Sequence, residues 1–112
     1  MKYLMLVCVD PSVEVSPEEP GAIDRWLEET KETRLFGNQL RPQEEAKVVR
    51  VRGGRPFVTD GPFAETKELI AGFDVLECDS LEEAVEIASR HPVAAFGAID
   101  VREFWTAGPG EG

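Results

Sequence analysis

The sequence predicts an α+β fold: one domain over residues 1–106, followed by a frayed tail over 107–112. Three observations carry that reading. An apolar run rich in Tyr and Val opens the chain at residues 2–9, two Ser-led capping boxes precede helically spaced apolar residues, and Gly53-Gly54 separates two β-rich runs. Together they set the element order β-α-β-β-β-α-β.

The opening run is apolar at every position from Tyr3 to Val9, so it reads as a strand buried on both faces and central in a sheet. Asp10-Pro11-Ser12 breaks it. Ser16-Pro17-Glu18-Glu19 is the first capping box, and Ile23, Trp26, Leu27 and Thr30 follow helical spacing with acidic residues on the other side. Gly37-Asn38 reads as the helix stop, which gives a first helix over residues 20–36. Residues 38–46 are polar, hold Pro42 and read as loop, with room for a short strand at Gln39-Leu40.

Residues 47–52 and 55–59 flank the two glycines as a hairpin, and Pro56 places the returning strand at an edge. Asp60-Gly61-Pro62-Phe63 is a turn cluster. Residues 67–78 read as a long strand in which Gly72 marks a bulge or a close backbone approach. Ser80-Leu81-Glu82-Glu83 caps a second helix with an apolar stripe at Leu81, Ala84, Val85 and Ala88. His91-Pro92 ends that helix, and residues 97–104 form the last strand.

This order is a split βαβ pattern with an inserted hairpin, for which a ferredoxin-like sheet with two helices on one face is the natural solution. Alternation puts Leu4, Leu6 and Cys8 on one side of the first strand and Tyr3, Met5, Val7 and Val9 on the other. Both sides are apolar, and a chain of 112 residues has no third layer to cover the second. A symmetric dimer is the expected cover.

Composition narrows the function classes. The formal net charge is -10, from 22 acidic and 12 basic residues. Nucleic-acid binding needs a basic stripe; Arg50, Arg52 and Arg55 come closest, and they only flank the hairpin. Anionic membrane surfaces would repel the chain for the same reason. The opening apolar run is too short for a membrane span and lacks a small-residue cleavage site, so cytoplasm is the expected compartment. Cys8 and Cys78 form no CxxC or Cys/His cluster, read as two free thiols and offer no zinc site. No metal or cofactor is expected, because no Walker loop, GxGxxG, GxSxG or HExxH pattern occurs.

The stretch Val58-Thr59-Asp60-Gly61-Pro62-Phe63-Ala64-Glu65-Thr66-Lys67-Glu68 resembles the signature of the DGPF type within the YCII-related family. The opening Met1-Lys2-Tyr3-Leu4-Met5-Leu6, then Ala71-Gly72-Phe73 with Leu81-Glu82-Glu83-Ala84, and the closing residues 91–102 look like further parts of it. The resemblance implies a dimeric α+β barrel, with two ferredoxin-like sheets packed face to face. It also implies likeness in fold to small lyases and isomerases of aromatic-compound breakdown. Other YCII-related proteins are thought to pair a His on the first helix with an Asp; here the first helix has none, and His91 stands on a different element.

Candidate chemistry is spread over several segments. Asp60 opens its turn and accepts backbone hydrogen bonds there; the functional alternative is a general base whose pKa burial raises. Lys67 is either part of a solvated strand start or the local cation that an anionic substrate needs. His91 either stops a helix, where the dipole favours the imidazolium, or transfers protons. Arg41, Phe63 and Arg102 are further substrate-binding candidates, with Asp100 and Arg102 on one strand face as an exposed pair or a dimer contact. The functional expectation is a dimer binding a small anionic or aromatic molecule, with cofactor-free proton transfer centred on Asp60 and His91. The alternatives are a non-catalytic metabolite- or partner-binding regulatory module and a structural dimer without a pocket.

Overall fold

Strand β1 (Lys2–Val9) holds an interior place in the sheet, as its apolar run requires. The computed structural model describes residues 1–10, 12, 20–61 and 69–105. Helix α1 (Ala22–Glu29) is followed by β2 (Arg34–Gln39), β3 (Lys47–Arg52), β4 (Arg55–Asp60), β5 (Leu69–Glu77), α2 (Leu81–Ser89) and β6 (Ala98–Glu103). Short 3₁₀ turns stand at Gln43–Glu45 and Pro92–Ala95. The main sheet has order β2-β5-β1-β6 with antiparallel neighbours, and β3 and β4 form a separate two-stranded ribbon. Without the ribbon, the remaining β-α-β-β-α-β path is ferredoxin-like.

The register separates the two sheet faces. Tyr3 lies opposite Leu76 and Glu103, Met5 opposite Asp74 and Val101, and Val7 opposite Gly72 and Ile99. This face packs against Trp26 of α1 and Ala84, Ile87 and Ala88 of α2, which makes the core. On the other face Leu4 meets Val75, Leu6 meets Phe73, and Cys8 meets Ile70. Phe36 extends that surface and touches the Phe73 ring edge-to-face at 5.8 Å. Ile70 and Phe36 are more than half exposed there. Neither cysteine is in a disulfide, and burial pushes the Cys78 thiol upward.

Several expected elements hold. Gly53 and Gly54 both take positive φ (58° and 75°), the conformation of the primed hairpin turn. Ser80 caps α2 by accepting from the Glu83 backbone N–H at 3.1 Å. The β1/β5 register shifts beside Gly72, so a bulge does occur there.

The first helix differs from expectation. It ends at Glu29 rather than near residue 36, and it starts after Gly21 at φ 81° with no side-chain cap. The Ser16 capping box, like the tail over 107–112, lies outside the described residues. Thr30 closes the helix by giving both its backbone N–H and its hydroxyl to the Trp26 carbonyl, at 3.0 and 2.8 Å. Arg34–Gln39 then pairs with β5, so Gly37-Asn38, expected as a helix stop, lies within a strand. Pairing with a strand distant in sequence overrides local helical spacing. Among the described residues no helix is long and apolar enough to cross a membrane.

The core yields a paired prediction. Leu76 is fully buried, so Leu76→Ala should destabilise the fold by about 2–5 kcal/mol in urea unfolding. Tyr3 is equally buried, its hydroxyl has no hydrogen-bond partner among the described residues, and burial and then Glu103 push its phenol upward. Tyr3→Phe should therefore leave the thermal midpoint unchanged or raise it. A clear fall would show that the hydroxyl does find a partner.

Candidate functional site

A cleft of about 470 Å³ opens on the helix-bearing side of the sheet. Val7 and Val9 of β1, Ile23, Trp26 and Leu27 of α1, and Val93 give it apolar walls. Its ionisable lining residues are Arg34, Asp74 and His91. Pockets of this size with a few converging polar groups are the usual form of small-molecule sites.

Asp74 sits in the apolar run of β5 and is buried. A buried carboxylate needs a partner, and Arg34 of β2 supplies it with Nε 2.6 Å from Oδ1. The strand register makes the pair possible. Gly37 lies directly across from Asp74. A Cβ at position 37 would fall onto the Asp74 carboxylate and the Phe73 carbonyl, and would crowd the Arg34 guanidinium. The edge strand therefore carries no side chain where the ion pair lies.

His91 enters from the segment after α2 and is buried. Its backbone N–H donates to the Ala88 carbonyl at 3.0 Å, which ends the helix. Its ring lies edge-on to the Trp26 indole, with centroids 4.8 Å apart. The indole is itself anchored by donating to the Ile87 carbonyl at 3.1 Å. His91 Nδ1 accepts the Val93 backbone N–H at 3.1 Å, capping the 3₁₀ turn. A nitrogen that accepts carries no proton, so this bond selects the neutral tautomer with its proton on Nε2. The imidazolium that a helix C-terminus would favour is thus opposed by the ring's own capping role.

The other expected site residues are placed elsewhere. Asp60 is exposed at the base of the hairpin, 2.5 Å from Lys47 Nζ. The Lys47 hydrogen bond, and then its charge, hold the Asp60 carboxyl below the ordinary aspartate range. This is the reverse of the raised value expected of a buried base. Arg41 is exposed and forks onto Glu45 at 3.2 and 3.0 Å. Arg102 lies on the sheet face opposite the cleft, 3.5 Å from Asp100. Neither lines the cleft, and nor does Asp60, so Asp60 and His91 do not converge there. Lys67 and Phe63 lie outside the described residues. Arg34, Asp74 and Trp26 line the cleft and are not among the site residues expected from the sequence. The available signal was Asp74 itself, a lone carboxylate in the run from Ile70 to Leu76 that requires a cation from another element.

Two predictions follow from these contacts. Arg34→Met should destabilise the protein by about 3–5 kcal/mol in denaturant unfolding, because it leaves a buried carboxylate unpaired; Asp74→Asn/Arg34→Met should recover part of the loss. Lys47→Met should raise the Asp60 pKa toward its ordinary value, read by carboxyl NMR titration. Since the folded-state value is the depressed one, the pair's stabilisation is complete above the ordinary aspartate range and is lost as pH falls through the folded value.

Known proteins resemble this chain in sequence and in shape. The YCII-related domain matches residues 1–107. A protein of Rhizobium meliloti (strain 1021), described as uncharacterized protein R00369, is 40% identical over 75 residues, which are 65% of this chain and 60% of that protein. The matched segment thus spans less than two thirds of that relative's length. The solved structure of 5-chloro-2-hydroxyhydroquinone dehydrochlorinase (TftG) from Burkholderia phenoliruptrix AC1100, in complex with 2,5-dihydroxybenzoquinone, superposes with a TM-score of 0.54 over 100% of both chains at 16% identity. A likeness at that identity is one of fold. Because the sequence match runs from the first residue past the end of β6, the chain belongs to the YCII-related family.

Proposed function

We propose that this protein is a small-molecule-binding dimer whose cleft handles a planar, oxygen-bearing ligand by cofactor-free proton transfer of the lyase or isomerase kind. The observation that carries this reading is the convergence of His91 and the Arg34–Asp74 pair on one mostly apolar cleft. Apolar walls take the ligand body, Arg34 offers charge to a ligand oxygen, and Asp74 holds Arg34 in place. The His91 Nε2–H donates to a ligand oxygen and polarises it, a role open to a neutral imidazole. The fold likeness to a dehydrochlorinase with a bound quinone supports this choice of chemistry by analogy alone. Asp60, Arg41 and Arg102 receive no role because they stand outside the cleft. Lys67 and Phe63 receive none because they lie outside the described residues.

The dimer belongs to the same proposal. Leu4, Leu6, Cys8, Ile70 and Phe36 form an apolar surface on the helix-free face, and packing two such faces together yields the dimeric α+β barrel. Two cysteines outside any disulfide fit a reducing, cytoplasmic setting.

A second reading has its own observation. Asp74 is engaged by Arg34, and His91 Nδ1 by the Val93 N–H, so the cleft offers donors more readily than a base. That favours a module that binds a metabolite without converting it.

Calorimetry with 2,5-dihydroxybenzoquinone, catechol and benzoate tests both readings. At least one should bind with one site per chain, and a His91→Gln variant should weaken it at least tenfold. Ligand proton exchange in deuterated buffer, followed by NMR and lost in His91→Gln, would mark catalysis; binding without exchange would mark the module. No binding by any of the three would overturn the cleft as a site for this ligand class. Ile70→Glu, a change at an exposed position, should convert the dimer to monomer in sedimentation velocity. An unchanged dimer would reject the face-to-face packing.

A further inference from the structure

The β3–β4 ribbon has two unlike faces. Alternation from the paired register puts Lys47 and Asp60 at the base of one face, followed by Val49 opposite Val58 and Val51 opposite Pro56. Val49, Val58 and Val51 are 63%, 62% and 58% exposed, an apolar stripe laid open to water. The other face ends with Arg52 directly opposite Arg55, beside the Gly53-Gly54 turn. Like charges at opposed strand positions repel. Neither guanidinium has an acidic partner among the described residues.

Such a ribbon is marginal by itself, since a lone two-stranded hairpin lacks a core. The described shape adds to the problem. The chain measures 48 × 41 × 18 Å with a radius of gyration of 16.1 Å, against roughly 13 Å for a compact chain of this length. Charge is divided as well. The ribbon holds four of the chain's 12 basic residues and one of its 22 acidic ones, so the rest of the chain is strongly negative.

We infer that the β3–β4 ribbon is a clasp for a second copy of this chain, with Val49, Val51 and Val58 packing on the partner's apolar surface and Arg52 and Arg55 meeting the partner's acidic side chains. A second copy is the occupant that the charges select. Its body carries the complementary sign, and a two-fold arrangement lets each ribbon clasp the other's body at once. The clasp is a different surface from the helix-free sheet face, and each can fail alone.

Sedimentation velocity on the intact chain, at 50 to 500 mM NaCl, tests the inference with two ribbon variants. Arg52→Glu/Arg55→Glu and Val49→Ser/Val58→Ser should each raise the dimer dissociation constant at least tenfold, and rising salt should weaken the wild-type dimer. A benzophenone amino acid placed at position Val58, in a mixture of isotopically light and heavy chains, should give light–heavy crosslinked dimers. This readout stays decisive even if a ribbon variant loses its hairpin. A monomeric wild type, unchanged dissociation constants, or crosslinks confined to one chain would overturn the clasp. So would RNA binding that Arg52→Glu/Arg55→Glu abolishes while the dimer is unaffected. Loss of the dimer in Ile70→Glu with both ribbon variants unchanged would reject the clasp and keep the sheet-face packing; the converse would keep the clasp and reject that packing.

Discussion

The four-stranded sheet has apolar side chains on both faces, and the described helices cover one of them. Most of the molecule follows from that imbalance. The face bearing Tyr3, Met5 and Leu76 is sealed by Trp26 and by the α2 residues Ala84, Ile87 and Ala88, and it forms the buried core. The face bearing Leu4, Leu6, Cys8 and Ile70 receives no helix among the described residues, and Ile70 and Phe36 are more than half exposed. A two-layer unit with one layer uncovered is a half-finished sandwich, and exposed apolar area of this kind marks an interaction surface in soluble proteins.

The covered face is itself only partly roofed. Strand β5 has nine residues and α1 eight. A nine-residue strand runs roughly 30 Å, and an eight-residue helix about 12 Å. The short helix therefore cannot shield the full length of the sheet, and the cleft lined by Val7, Val9 and Leu27 occupies part of that side. Polar groups enter it under tight constraint. Arg34 and Asp74 meet because β2 lies at the sheet edge beside β5, and because Gly37 leaves their junction free of a side chain. His91 is held by its backbone on Ala88 and Ala94, its ring on Trp26, and its Nδ1 on Val93. A side chain fixed in this way has its tautomer chosen by the fold rather than by solvent.

Resemblance to the family implied a His on the first helix. In this chain the cleft-lining residues of α1 are Ile23, Trp26 and Leu27, and the imidazole comes from beyond α2 instead. The helix contributes apolar wall, as its lack of a His requires. The cleft is thus built around one buried ion pair and one histidine whose Nδ1 accepts a backbone N–H.

The elements that the amino-acid sequence determined by itself are those with local causes. The opening apolar run became β1 over the expected residues, two adjacent glycines made the hairpin turn through their positive φ angles, and Ser80 capped α2 through a hydroxyl three residues from its donor. Tertiary structure decided what depends on partners far along the chain. Leu35-Phe36 has helical spacing from α1 and became strand because β5 offered an edge to pair with. Asp60, read in the sequence as a turn residue with a general base as the alternative, was claimed by Lys47 across the ribbon, while Asp74, unremarked in its strand, acquired Arg34 from 40 residues away. A charge in a sequence states only that a partner is required; which partner answers, and whether a cleft lies beside it, is set when separate strands come into register.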